Sequence, residues 1–125
     1  MTALEFVKDQ ITALGINYEY KEWTGKDKPK LYFIGEELKE SEPKDDSISS
    51  TLTIVSHNSG GFKDFFEAVN KMKKHFNPRN NVKTETENGS IRLLLGGCKI
   101  TPPEKEGERT TAKISLIIKE KITTV

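Results

Sequence analysis

Residues 110–125 read TTAKISLIIKEKITTV, and their alternation decides what kind of fold this chain can adopt. Ala112, Ile114, Leu116, Ile118 and Ile122 fall on alternate positions. Successive strand side chains point to opposite faces, so this pattern predicts a long strand over 110–122 with one buried face. Residues 62–76, FKDFFEAVNKMKKHF, carry the other period. Phe62, Phe65, Phe66, Val69, Met72 and Phe76 form an i, i+3, i+4, i+7 stripe, which predicts an amphipathic helix over 62–76. Asp64 near its start and Lys73, Lys74 and His75 near its end suit the helix dipole, and Asn77-Pro78 stops it.

Working outward, Thr2-Ala3-Leu4-Glu5 matches a capping box, Leu4, Val7, Ile11 and Leu14 follow at helical spacing, and Gly15 is suited to end the helix. The first helix is predicted over 3–14. Tyr18–Trp23 alternates and Leu31–Ile34 is apolar and β-prone, so the two are expected to form a hairpin across the turn-rich residues 25–30. The acidic stretch from Gly35 to Asp46 is open to two readings, a loop or an extended edge anchored by Leu38. Ile48–Ser56 is a strand broken by the polar run His57–Gly61. Asn88-Gly89 is a two-residue hairpin signal between Val82–Glu87 and Ser90–Leu95, in a register that sets Glu85 against Arg92. Gly96-Gly97 reads as a bulge or bend before Cys98–Ile100, and residues 101–109 as a charged loop.

The fold class that results is α+β: a single domain over 1–125, an antiparallel or mixed β-sheet that includes 48–56, 82–95 and 110–122, and two helices packed on one face. Leu52, Ile54, Phe65, Phe66, Val69, Leu93, Ile114 and Leu116 are the expected core. Leu94 and Ile117 point away from it, as Trp23 and Val55 do in one register.

At 125 residues, with 34% hydrophobic and 31% charged content, the chain has room for one core. Twenty basic and nineteen acidic residues leave a net charge of +1, without the basic excess of a DNA-coating protein. One cysteine, Cys98, cannot form an internal disulfide. The first ten residues lack the basic and apolar regions of a signal peptide, and no apolar run approaches the ~18 residues of a membrane span.

Candidate chemistry is sparse. Cys98 follows two glycines, but its only possible bases are His57 and His75, and the bland reading is a half-buried strand cysteine. One cysteine and two separated histidines lack zinc-ligand spacing. Glu36-Glu37 and Asp45-Asp46 do not follow the spaced pattern of a calcium loop. Gly60-Gly61 and Gly96-Gly97-Cys98-Lys99 do not match a phosphate loop. Lys71, Lys73, Lys74, His75 and Arg79 form the densest basic cluster, without interleaved aromatic residues. The expectation is a non-enzyme with no catalytic residues, cofactor or metal.

The order of elements resembles the tail terminator (tail completion, head–tail joining) proteins of long-tailed bacteriophages and prophages. The residues that carry the likeness are Ser50–Ser56 running through a polar break into FKDFFEAVNKMKKHF, and the closing TTAKISLIIKEKITTV. The resemblance implies a structural subunit that assembles into a ring, commonly a hexamer, on the tail tube. Its implied partners are itself, the tail-tube protein and the head connector, with no membrane and only incidental nucleic acid. It implies assembly in the bacterial host cytoplasm and a final place in the virion tail or neck. Lys26, Lys28 and Lys30 against Glu36, Glu37, Glu40 and Glu42 are the candidate subunit or partner contacts. The alternatives are another phage neck or connector component and a small basic-patch nucleic-acid-binding module.

Overall fold

Thr2 caps the first helix, α1 (Ala3–Ala13), as its sequence predicts: its hydroxyl accepts the Glu5 N–H at 3.2 Å, while the Thr2 N–H donates to the Glu5 carboxylate at 3.4 Å. A computed structural model describes residues 2–44, 46–107 and 109–122. Asp45 of the acidic pair, Glu108 of the charged loop and the closing 123–125 lie outside the described residues. Phe6, Val7 and Ile11 form the buried face of α1.

The second helix, α2 (Phe62–His75), buries Phe65, Ala68, Val69 and Met72, with Phe76 buried just beyond it. Phe66, an expected core residue, is instead 47% exposed, and Phe62 is 59% exposed. Each residue advances about 100° around a helix. The buried arc centres on the line through Phe65, Met72 and Phe76, which leaves Phe66 on its flank. Phe62 and Phe66 stack on each other there, ring centroids 5.7 Å apart.

The six strands are β1 (Tyr18–Tyr20), β2 (Leu31–Glu40), β3 (Ser47–Asn58), β4 (Val82–Thr86), β5 (Gly89–Thr101) and β6 (Thr111–Ile122). They form one mixed sheet in the order β1-β2-β3-β6-β5-β4. Every neighbouring pair is antiparallel except β1 with β2. Both helices add their apolar faces to one core, built on Leu52 and Ile54 of β3, Ile91 and Leu93 of β5, and Ile114, Leu116 and Ile118 of β6. Ser56 is buried at its margin, where its hydroxyl accepts the Ala112 N–H at 2.9 Å.

Three expectations are corrected. Tyr18–Trp23 and Leu31–Ile34 do not form a hairpin; β1 and β2 run parallel, with Tyr18 opposite Phe33. Lys21 turns the chain at φ 73° while its N–H still bonds the Gly35 carbonyl, and residues 21–30 then cross back to the start of β2. The Trp23 indole, donating to the Asp27 carbonyl at 3.2 Å, ties that crossover together. Second, the β4–β5 register places Lys83, not Glu85, opposite Arg92. Gly89 is a strand residue at φ 154°, paired with Thr86, so Glu87-Asn88 makes the turn. A Cβ on Gly89 would overlap the Lys121 carbonyl oxygen of β6, so the glycine is needed for close approach of two strands rather than for the turn. Third, β3 runs on through His57 and Asn58, which the polar composition there marks as a break.

The acidic stretch resolves to the extended reading. β2 continues to Glu40 through a bulge at Glu36, and Leu38 packs against the core. The expected irregularity at Gly96-Gly97 is a bulge in the β5–β6 ladder between Leu95 and Gly97.

Candidate functional site

The helices cover one face of the sheet, and the chemistry of interest lies on the other. Register fixes what sits side by side there. Tyr32 is paired with His57, and their rings stack at 5.0 Å, within 6° of parallel. Trp23, held over the crossover, packs on Tyr32 at 5.4 Å. Beside this ladder Val55 pairs with Lys113, and Lys113 with Lys99. The middle of the face is small or apolar: Thr53, Ser115 and Gly97 in one row, Thr51, Ile117 and Leu94 in the next. At the far end Lys119, Arg92 and Lys83 stand in a line across three strands.

Like charges directly opposite in a sheet destabilise it. This face nevertheless sets Lys99 against Lys113 and Arg92 between Lys83 and Lys119. The carboxylates that the register places on this side, among the described residues, are Glu19, 3.1 Å from Lys8, Glu37, 3.8 Å from Lys39, and Glu85, 3.4 Å from Lys83. That leaves Arg92, Lys99, Lys113, Lys119 and Lys121 without a carboxylate within salt-bridge distance among the described residues. Arg92 reaches the Pro78 carbonyl at 3.3 Å, while its Nε is buried without a partner among the described residues.

A cleft of about 730 Å³ opens at the aromatic end. Tyr32 and His57 line it from the sheet, Lys28 and Lys30 from the crossover, and Glu104 and Arg109 from the loop before β6. Arg109 is anchored by hydrogen bonds to the carbonyls of Gly60 (3.0 Å) and Ser59 (3.4 Å), so that loop is pinned to the end of β3.

The sheet also has two partly open edges. β1 covers only Phe33–Gly35 of β2, so the outer side of β2 from Glu37 to Glu40 has no strand partner among the described residues. On the opposite side, β4 pairs with β5 only as far as Leu93. The Leu95 N–H is taken by the Phe76 carbonyl, and beyond β6 the segment Gly96–Thr101 pairs with no further strand among the described residues.

The residues singled out from sequence lie along β2 and the segments that flank it. Lys26 and Lys28 are exposed in the crossover and Lys30 just before β2. Glu36, Glu37 and Glu40 are exposed along β2, and Glu42 follows it. The basic and acidic groups thus sit at opposite ends of the same strand, about 3.3 Å per residue apart along it, and do not form one cluster. Lys28 and Lys30 join the cleft; Glu36, Glu37 and Glu40 mark the open edge of β2.

Cys98 is half-buried, and burial pushes its thiol above the ordinary value, with the Lys73 ammonium pulling the other way. No hydrogen bond joins it to a histidine: His75 pairs with Gln10 at 2.8 Å and His57 stacks on Tyr32. Lys71, Lys73 and Lys74 project from α2 into solvent. No group of three potential metal ligands occurs among the described residues, and none of their helices is long and apolar enough to cross a membrane. Tyr18 is the other chemically unusual group: its buried hydroxyl has no hydrogen-bond partner among the described residues, and burial first, then Tyr20 and Glu19, push its pKa far up.

Sequence reasoning missed the aromatic ladder and the cationic rows. One signal for the second was present: Lys113, Lys119 and Lys121 occupy the outward positions of the alternating final strand. Tyr32 and His57 lie in separate segments, and only the β2–β3 register brings them together. No protein-family model matches this chain, and no curated protein matches it.

Proposed function

We propose that this chain is a structural ring subunit of the phage tail-terminator type, which caps a tail tube and joins it to the head connector. The observation that carries the reading is the pair of unlike open edges on opposite sides of one sheet. A ring of identical subunits closes only through head-to-tail contacts, each joining two different surfaces. One edge, Glu37–Glu40, carries two carboxylates, Glu37 and Glu40, against one lysine, Lys39, with Leu38 turned to the core. The other, Gly96–Thr101, contains Lys99, the 42%-exposed Ile100 and no carboxylate. Their strand groups can extend the sheet from one copy to the next, and their charges favour that pairing over like edges meeting. The exposed Phe62–Phe66 stack adds apolar surface outside the core.

The test adds this protein to polymerising tail-tube protein from the same genome. Tubes of limited length with a ring at one tip in electron microscopy are expected. Tubes that grow unchanged, with no co-sedimentation, overturn the reading.

A further inference from the structure

We propose that the helix-free face of the sheet binds single-stranded nucleic acid, with a base stacked on His57 and the backbone tracking the cations of β5 and β6. This rests on the face itself and holds whether or not the protein forms a ring.

Stacking begins from the Trp23–Tyr32–His57 ladder. Trp23 packs on Tyr32, Tyr32 stacks on His57, and no further ring packs on His57 among the described residues. His57 is exposed and lines the 730 Å³ cleft, so a planar ring entering the cleft continues the stack. Among the described residues, Lys28, Lys30 and Arg109 line the same cleft with one carboxylate, Glu104, giving it a positive bias for a phosphate.

The cationic rows extend the site from a pocket to a track. Lys99 and Lys113 lie next to the ladder; Arg92, Lys119 and Lys121 lie farther down the same face. From His57 to Ser49 the face runs eight residues of β3, roughly 26 Å at about 3.3 Å per residue, a span for several nucleotides and not for one. Between the two sets of cations lie a row of small residues, Thr53, Ser115 and Gly97, which lets a strand lie close, and a row of Thr51, Ile117 and Leu94, the last two apolar and offering a surface for a base. Repulsion between paired lysines is a cost in the free protein that bound phosphates relieve. An acidic protein surface answers the cations but leaves the ring ladder without a role. Duplex nucleic acid hides its bases from a flat aromatic platform.

Trp23 is the chain's single tryptophan and sits at the base of the ladder, so its fluorescence is the readout. The full-length protein is titrated with a ten-nucleotide oligo(dT), a duplex of the same length, and polyphosphate, at several salt concentrations. Binding of oligo(dT) with preference over the other two is expected, with log K falling by about 0.7 per phosphate contact per decade of salt. His57→Ala should weaken oligo(dT) binding roughly tenfold and leave polyphosphate binding unchanged. Lys113→Glu should flatten the salt dependence and weaken binding, while thermal stability stays or rises, because the variant converts the Lys99–Lys113 repulsion into an opposite-charge pair. That divergence separates a binding role from a folding defect. Equal binding of polyphosphate or duplex, indifference to His57→Ala, or no binding of oligo(dT) at low salt overturns the proposal.

Discussion

Phe65 and Phe66 are adjacent, chemically identical and, by periodicity, both core residues, yet the structure gives them opposite fates. Phe65 is fully buried among the core residues, whereas Phe66 is 47% exposed. Truncating a buried phenylalanine removes its transfer free energy and leaves a cavity, a cost of about 3–5 kcal/mol. A domain of this kind has only about 5–15 kcal/mol in total, so Phe65→Ala should approach the limit of what the fold tolerates. Phe66→Ala removes an exposed ring and its partly solvated stack on Phe62, which should cost under about 1 kcal/mol. Urea titration followed by far-UV circular dichroism distinguishes them. With a denaturant slope of about 2 kcal/mol per M, Phe65→Ala moves the midpoint by roughly 2 M and Phe66→Ala by less than about 0.5 M. Equal shifts, or a larger one for Phe66→Ala, would refute the assignment of the buried arc of α2.

Tyr18→Phe should stabilise the protein by about 0.5–2 kcal/mol, because it deletes a buried hydroxyl that has no hydrogen-bond partner; a loss of stability on the same urea titration would mean that the hydroxyl is satisfied. The same variant has a pH signature. Burial raises the Tyr18 pKa in the folded state, so above about pH 10 the unfolded chain releases a proton that the folded one retains, and stability falls as pH rises. The alkaline loss should be smaller in Tyr18→Phe than in the parent, and identical slopes would contradict it. Gly89→Ala should cost about 2–4 kcal/mol, since its Cβ overlaps the Lys121 carbonyl and φ is 154°, whereas Gly97→Ala, with no atom within 4 Å of its Cβ, should cost under about 1 kcal/mol. Amide exchange should locate the Gly89→Ala damage at the β5–β6 ladder, and protection unchanged there would show that the strands are farther apart.

What the sequence disclosed and what it hid follow from the range of the forces involved. Local periodicity identified both helices and the long final strand, and the capping box at Thr2 is made by the hydrogen bonds its spacing predicts. The width of the α2 stripe was legible but its centre was not, since Phe62, Phe65 and Phe66 fit one amphipathic face equally well and the sheet chooses among them. The direction of β1 relative to β2 was hidden because it depends on Lys21 adopting φ 73°, which nothing in its side chain signals. Asn88-Gly89 signalled the β4–β5 hairpin but misplaced its turn by one residue, because the glycine is required by its approach to Lys121 of β6, distant in sequence. The ring ladder and the Lys99–Lys113 pair depend on register, and in β5 that register is reset by the Gly96 bulge. Outward lysines in 110–122 were visible; their neighbours were not.

The strand order carries a kinetic consequence. β6 lies between β3 and β5, and its ladder with β3 joins Ser47 to Lys121 and Val55 to Lys113. These pairings are distant in sequence, so loop-closure entropy must be met before they form, and folding should be slow for a chain of this size. The β2–β3, β4–β5 and β5–β6 hairpins close over short separations and can form first. Until β6 docks on β3, the half of the molecule containing β3 exposes a long strand edge that includes Leu52 and Ile54, the same kind of edge that nucleates aggregation. The β3–β6 ladder is therefore the seam of the sheet: its closure joins two halves and removes their most dangerous surface in one event.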